Sequence, residues 1–187
     1  MKNVLKLLIL SDIFLITGFG LVNPIMAIFI KDNLVGGTIA AVGIASALFM
    51  VVKSVLQIFI AKRFSAKDRL WLLWTGTFFV AFVPFLYAYS TSIYHIYLAQ
   101  IFHAMGAAMA APAFMGLYIL HTDRKKPGLE WTWYSTSASL GTGLAAYLGA
   151  ILATIIGFKA VFFITGALSL IGALILIRLS KEKLAKK

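Results

Sequence analysis

LAQIFHAMGAAMAAP, residues Leu98 to Pro112, lies inside a long apolar run and is built mostly of small side chains. Gln100 and His103 interrupt it one helical turn apart. On a helix these two share a stripe, and the small residues around them let a neighbouring backbone come close. An apolar run of this length implies surrounding lipid, so the polar stripe is expected to face protein or a water-filled cavity.

The rest of the chain has the same character. Its 187 residues are 61% hydrophobic with a mean hydropathy of +0.96, against about 45–50% apolar for a soluble domain. The net charge of +11 does not indicate nucleic acid, because the basic residues form short clusters between apolar runs, as in the loops of a membrane protein. With no cysteine, the sequence is silent about redox compartment.

Six segments reach the roughly 20 apolar residues that a span needs: Val4–Ile30, Gly36–Ala61, Leu70–Tyr89, Tyr94–Leu120, Glu130–Ile156 and Ala160–Ile177. Runs this long must satisfy their backbone internally, so an all-α integral membrane protein is predicted. The first run exceeds a signal-peptide core of roughly 7–15 residues and reads as a retained span. Lys and Arg divide unequally between the two sides. Fourteen lie with the termini and the 62–69 and 121–129 connections, only Lys31 and Lys159 lie opposite, and Lys53 is within the second span. Under the positive-inside rule both termini are expected in the cytoplasm of a multi-pass cell-membrane protein.

GFGLVNP, with Gly18 and Pro24, and GAAMAAP, with Gly106 and Pro112, match at an offset of 88 residues. Three spans separate the copies, so a repeat would be inverted; the alternative is that Gly and Pro are simply common in membrane helices. The expected organisation is one six-helix domain over 1–187: a three-helix unit at 4–89, a second at 94–177 and a basic cytoplasmic tail at 178–187. In the fifth span Gly141, Ala145, Gly149 and Ala153 recur at every fourth position, a close-packing face.

Several of these stretches resemble the major facilitator superfamily (MFS). LAQIFHAMGAA is similar to that family's fourth-helix motif, with Gln100 where an arginine is usual. GTGLAAYLGAILA followed by GFKAVFFITG resembles its fifth helix and the turn into the sixth, with Ala146 where a proline is usual. IAKRFSAKDRL resembles its loop between helices two and three. Arg63, Phe64, Lys67 and Arg69 fit that loop; Lys62 replaces its acidic residue and Ser65 its glycine. The resemblance covers the whole chain but only the N-terminal six-helix half of a two-half fold. It implies an MFS half-fold with a nested 3+3 inverted repeat, and cavity-lining roles for the first and fourth spans.

Polar groups inside the spans are the candidate site. Asp12 and Lys53 each lie about 12 Å from the same membrane face by helical rise. Their opposite charges suggest a proton-coupling pair; alternatively Lys53 snorkels to the headgroups while Asp12 sits solvated at a cavity mouth. His103, about 14 Å deep, suits either a proton relay or a neutral imidazole hydrogen-bonded to a neighbouring helix. Asn23, Gln100 and His103 are the expected substrate-binding residues, and a local helix break at Asn23-Pro24 would expose a carbonyl. Glu130, Trp131 and Trp133 on one side, and Tyr87, Tyr89, Tyr94 and Tyr97 on the other, read as interfacial residues. His95 and His121 lie at span ends and suggest no role.

Enzyme chemistry is not indicated. Gly-x-Ser-x-Gly, HExxH and phosphate-binding glycine-rich motifs are missing, and the three histidines lie far from one another and from any ligand cluster. No cofactor or metal is expected. The leading expectation is a half-size secondary transporter, working as a parallel homodimer on a small, amphipathic or hydrophobic solute by alternating access with proton coupling. The alternatives are a fragment of a full-length transporter and a non-transporting membrane interaction protein. The expected partners are a second copy, lipid and the solute.

Overall fold

The computed structural model of the protein describes the backbone of residues 3–64, 69–123 and 125–184, and side chains over 4–64, 70–123 and 125–178. Lys2, Ser65, Lys67, Arg124, Lys186 and Lys187 fall outside that description, as do the side chains of Arg69, Lys181 and Lys183. The described chain forms helices α1 (Asn3–Asn33), α2 (Ile39–Arg63), α3 (Arg69–Ala88), α4 (Ile93–His121), α5 (Pro127–Ile156) and α6 (Phe158–Leu184). All six are long and apolar enough to cross a membrane, as expected for a multi-pass, all-helical membrane protein.

The helix ends differ from the expected limits for local reasons. α2 starts at Ile39 rather than Gly36, because Gly36 has a positive φ of 78° and Thr38 caps the helix, its Oγ1 accepting from Ala41 N at 3.0 Å. The α5–α6 connection shrinks to Gly157 alone, whose φ of 83° and ψ of 161° suit glycine. α6 runs on to Leu184, so most of the predicted basic tail is helix; its apolar span ends at Arg178. α1 passes through Pro24 unbroken, which removes the expected helix break beside Asn23.

Helix pairing is selective. α1 packs against α5 and α6, α4 against α2 and α3, and α3 against α6. Three of these contacts close on small residues. A Cβ added at Gly76 on α3 would lie 2.6 Å from Gly106 O on α4, and one at Gly106 would lie 2.8 Å from Gly76 O. The predicted small-residue face of α5 lies on α1: a Cβ at Gly141 would meet Thr17 Oγ1, one at Gly149 would strike the Leu21 carbonyl, and Ala145 fits against Gly20. α1 and α6 are also tied by Ser11 Oγ donating to Gly172 O (2.6 Å) and Thr165 Oγ1 donating to Gly18 O (3.0 Å). Such bonds between membrane helices average about 0.6 kcal/mol each.

A cluster of buried Leu21, Ile25, Ala145 and Val161 joins α1 to α5 and α6, and two larger clusters lie at the ends of the bundle. One of these two joins Leu5, Leu8 and Leu176 with Leu72 and Leu117, beside the described termini. The other joins Phe29 and Ile30 with Ala41, Val83, Ile93 and Phe162 at the opposite end. There the two loops are stitched together: Val35 N donates to Thr91 O and Ile93 N to Val35 O, both at 3.1 Å. Between these clusters the bundle is hollow.

Candidate functional site: two cavities divided by stacked rings

The larger cavity, about 530 Å³, is bordered by every helix. Asp12, Asn23, Lys53, His103, Tyr134 and Thr142 supply its polar side chains, among others; Leu15, Phe19, Val80, Phe114 and Leu176 are part of its apolar wall. A second cavity of about 280 Å³ lies towards the stitched end, bordered by Asn23, Ser46, Gln100 and His103 with Val22, Met26, Phe49 and Tyr87. Cavities of this combined size are in the range that holds a small molecule.

His103 borders both cavities, as do Phe19 and Asn23. Its imidazole stacks on Phe19 of α1, with ring centroids 4.8 Å apart and planes inclined by 20°. The Phe49 ring of α2 lies 4.5 Å from it, tilted by 38°. Lys53 Nζ is 5.6 Å from the Phe49 centroid, a cation–π distance. The row Phe19, His103, Phe49, Lys53 therefore crosses the bundle from α1 through α4 to α2. What holds the imidazole is this pair of rings rather than the expected interhelical hydrogen bond.

Asp12 has a partner that the sequence did not suggest: Tyr134 of α5 donates its hydroxyl proton to Asp12 Oδ2. Asp12 and Lys53 border one cavity but are not joined as an ion pair there, which corrects the expected pairing. Tyr134 sits in an aromatic group with Phe114, Tyr118 and Trp131, centroids 5.3–5.8 Å from its own.

The expected substrate residues are thus split. Asn23 and His103 reach both cavities, whereas Gln100 reaches only the smaller, where its Oε1 is buried without a hydrogen-bond partner. Residues read as interfacial also divide. Tyr89, Tyr94 and Trp133 are exposed as expected, but Tyr87 is buried in the core and Trp131 borders the larger cavity. Glu130 is buried and accepts from Asp123 N at 3.0 Å, closing the α4–α5 connection. Phe19, Phe49 and Tyr134 were missed. An aromatic residue in an apolar run carries no mark of its partner, and the Tyr134–Asp12 contact spans 122 residues of chain.

Known proteins resemble this chain in sequence or in fold. An uncharacterized MFS-type transporter of Methanocaldococcus jannaschii is 24% identical over 158 residues, which cover 84% of this chain and 40% of that protein. The in meso crystal structure of the POT family transporter PepTSo superposes with a TM-score of 0.76 at 18% identity, covering 97% of this chain and 38% of that one. At that identity the likeness is one of fold. The chain spans about two-fifths of the length of these two proteins. The family model described as Major Facilitator Superfamily matches residues 8–187. With that match laid over six apolar helices around a central cavity, the chain belongs to the major facilitator superfamily.

Proposed function

We propose that the chain is half of a secondary transporter, assembles as a parallel homodimer and moves a small amphipathic solute by alternating access. The observation that carries this reading is the larger cavity: a hollow of about 530 Å³ inside a membrane bundle, with Asp12, Asn23, Lys53 and His103 on its wall. Ionisable side chains are costly in a membrane and mark solute or proton paths. A second copy would supply the other half of a two-half fold. α2 and α5, the least covered helices, offer it apolar faces such as Ile44, Val51 and Ile58, and Leu140, Leu144 and Leu148. The same length relation also favours a second reading, the first half of a longer transporter whose second half covers those faces.

The two three-helix units are read as inverted copies. Exchanging α1–α3 with α4–α6 carries the α1 contacts with α5 and α6 onto the α4 contacts with α2 and α3. Gly18 faces α6 as Gly106 faces α3. The orientation follows the positive-inside rule. Among described residues Lys6, Lys62, Arg63, Lys125, Lys126 and Arg178 share the end of the termini, which supports reading that end as cytoplasmic.

Asp12 is the proton-coupling group in this reading, with Lys53 as the cation of the same cavity and Tyr134 as its hydrogen-bond partner. Breaking the Tyr134 contact during a conformational change would alter the proton affinity of the carboxylate, which is what coupling requires. The test is uptake into proteoliposomes under an imposed pH gradient. Asp12→Asn should abolish gradient-driven accumulation while solute exchange persists at raised solute concentration. Unchanged accumulation by a well-folded variant rejects the coupling, and a purely monomeric cross-linking pattern in native membranes rejects the homodimer.

A further inference from the structure

We propose that the larger cavity is a dipolar site for an amphipathic zwitterion, Asp12 taking its ammonium end and Lys53 its anionic end. This deepens, and rests on, the reading of that cavity as the solute site. Asp12 enters from α1 and Lys53 from α2, two helices that make little contact with each other, and the cavity lies between them. Each charge keeps capacity for a ligand. Tyr134 donates to Asp12 Oδ2 and leaves Oδ1 for a second donor. Lys53 rests against the face of the Phe49 ring, a contact that occupies none of its N–H groups.

Most of the cavity wall is apolar, with Leu15, Ile16, Phe19, Val80 and Phe114 among its residues. A solute carrying one charge would satisfy one end and leave the other desolvated and unpaired, which is costly. A neutral solute would leave both. A molecule with an apolar body and opposite charges at its two ends satisfies the carboxylate, the ammonium and the wall together. The aromatic group Phe114, Trp131 and Tyr134 beside Asp12 strengthens the assignment of the cationic end there, since ring faces attract ammonium groups.

Detergent-solubilised full chain at neutral pH is titrated with four compounds built on one para-substituted ring, and the thermal unfolding midpoint is followed. They are 4-(aminomethyl)benzoate (zwitterion), 4-(aminomethyl)benzamide (cation), 4-(acetamidomethyl)benzoate (anion) and 4-(acetamidomethyl)benzamide (neutral). The zwitterion should bind about tenfold more tightly than either singly charged compound, and the neutral one most weakly. Asp12→Asn should make zwitterion and anion equal while keeping the anion ahead of the neutral compound. Lys53→Gln should make zwitterion and cation equal while keeping the cation ahead of the neutral compound. The preference each variant retains shows that it is folded. The inference is overturned if either singly charged compound, or the neutral one, matches the zwitterion on the unaltered protein. It is also overturned if the zwitterion gives no saturable shift up to about 10 mM. The readout needs neither transport nor a dimer: zwitterion preference without uptake defeats the transport reading alone, and uptake of another solute without this preference defeats the inference alone.

Discussion

α5 and α2 hold corresponding places, α5 against α1 and α2 against α4, yet they are attached in different ways. α5 presses its glycines onto the α1 backbone, so that a Cβ at Gly149 would strike the Leu21 carbonyl. α2 meets α4 through side chains, Phe49 against His103 and Ala41 and Ala45 among Ile96 and Ala99, and its Gly43 touches nothing. At Gly141 and Gly149 the first contact is close enough that an added Cβ would clash. The second is made by side chains and has a 280 Å³ cavity beside it. The difference marks α1–α5 as the contact closed on glycine and α2 as the helix seated through side chains, and α2 carries Lys53 and Phe49.

The sharpest break of this contrast is a large side chain at each glycine. Gly149→Leu forces a branched chain into the Leu21 backbone and should cost more than the roughly 1–3 kcal/mol of ordinary overpacking, enough to abolish a monodisperse detergent-solubilised species. Gly43→Leu should leave the unfolding midpoint within about 0.5 kcal/mol of the starting protein, as exposed sites do. Size-exclusion profiles and melting curves measure both, and equal damage at the two positions would dissolve the distinction.

A smaller effect is expected at the α3–α4 crossing, which also closes on glycine. Gly106→Ala adds one methyl 2.7 Å from Phe79 Cβ and 2.8 Å from Gly76 O, and should lower stability by about 1–3 kcal/mol in a denaturant titration. No measurable loss would mean that the helices can part, making this crossing like α2–α4 rather than α1–α5.

The least effect belongs to a polar tie. Thr165→Val keeps the shape and removes the bond to Gly18 O, for about 0.6 kcal/mol by the same titration. A loss of several kcal/mol would show that hydrogen bonds, and not close packing, hold these helices together.

Legibility followed the kind of information each feature needs. Span existence was readable, since an apolar run can be counted directly. The small-residue face Gly141, Ala145, Gly149 was readable because helical periodicity puts those residues in one row. The pairing of Asp12 was not. Counting residues into a span gives height across the membrane but not the direction in which a side chain points relative to other helices. Asp12 and Lys53 do border one cavity, but Tyr134, coming from a third helix, is the group that reaches the carboxylate. Gln100 and His103 shared a stripe on α4 and both border the smaller cavity, but only His103 also reaches the larger one.

By itself the sequence determined that this chain is a six-helix membrane protein, because run length and charge clustering are local properties of the chain, and its motifs carried a resemblance to the MFS. Only the tertiary structure decided which helices the buried apolar clusters join, that Phe19 and Phe49 both meet the His103 ring, and that Asp12 answers to Tyr134. Those are relations among helices, set by how closely each pair of them can approach. That approach depends on both surfaces at once, so neither helix's sequence contains it.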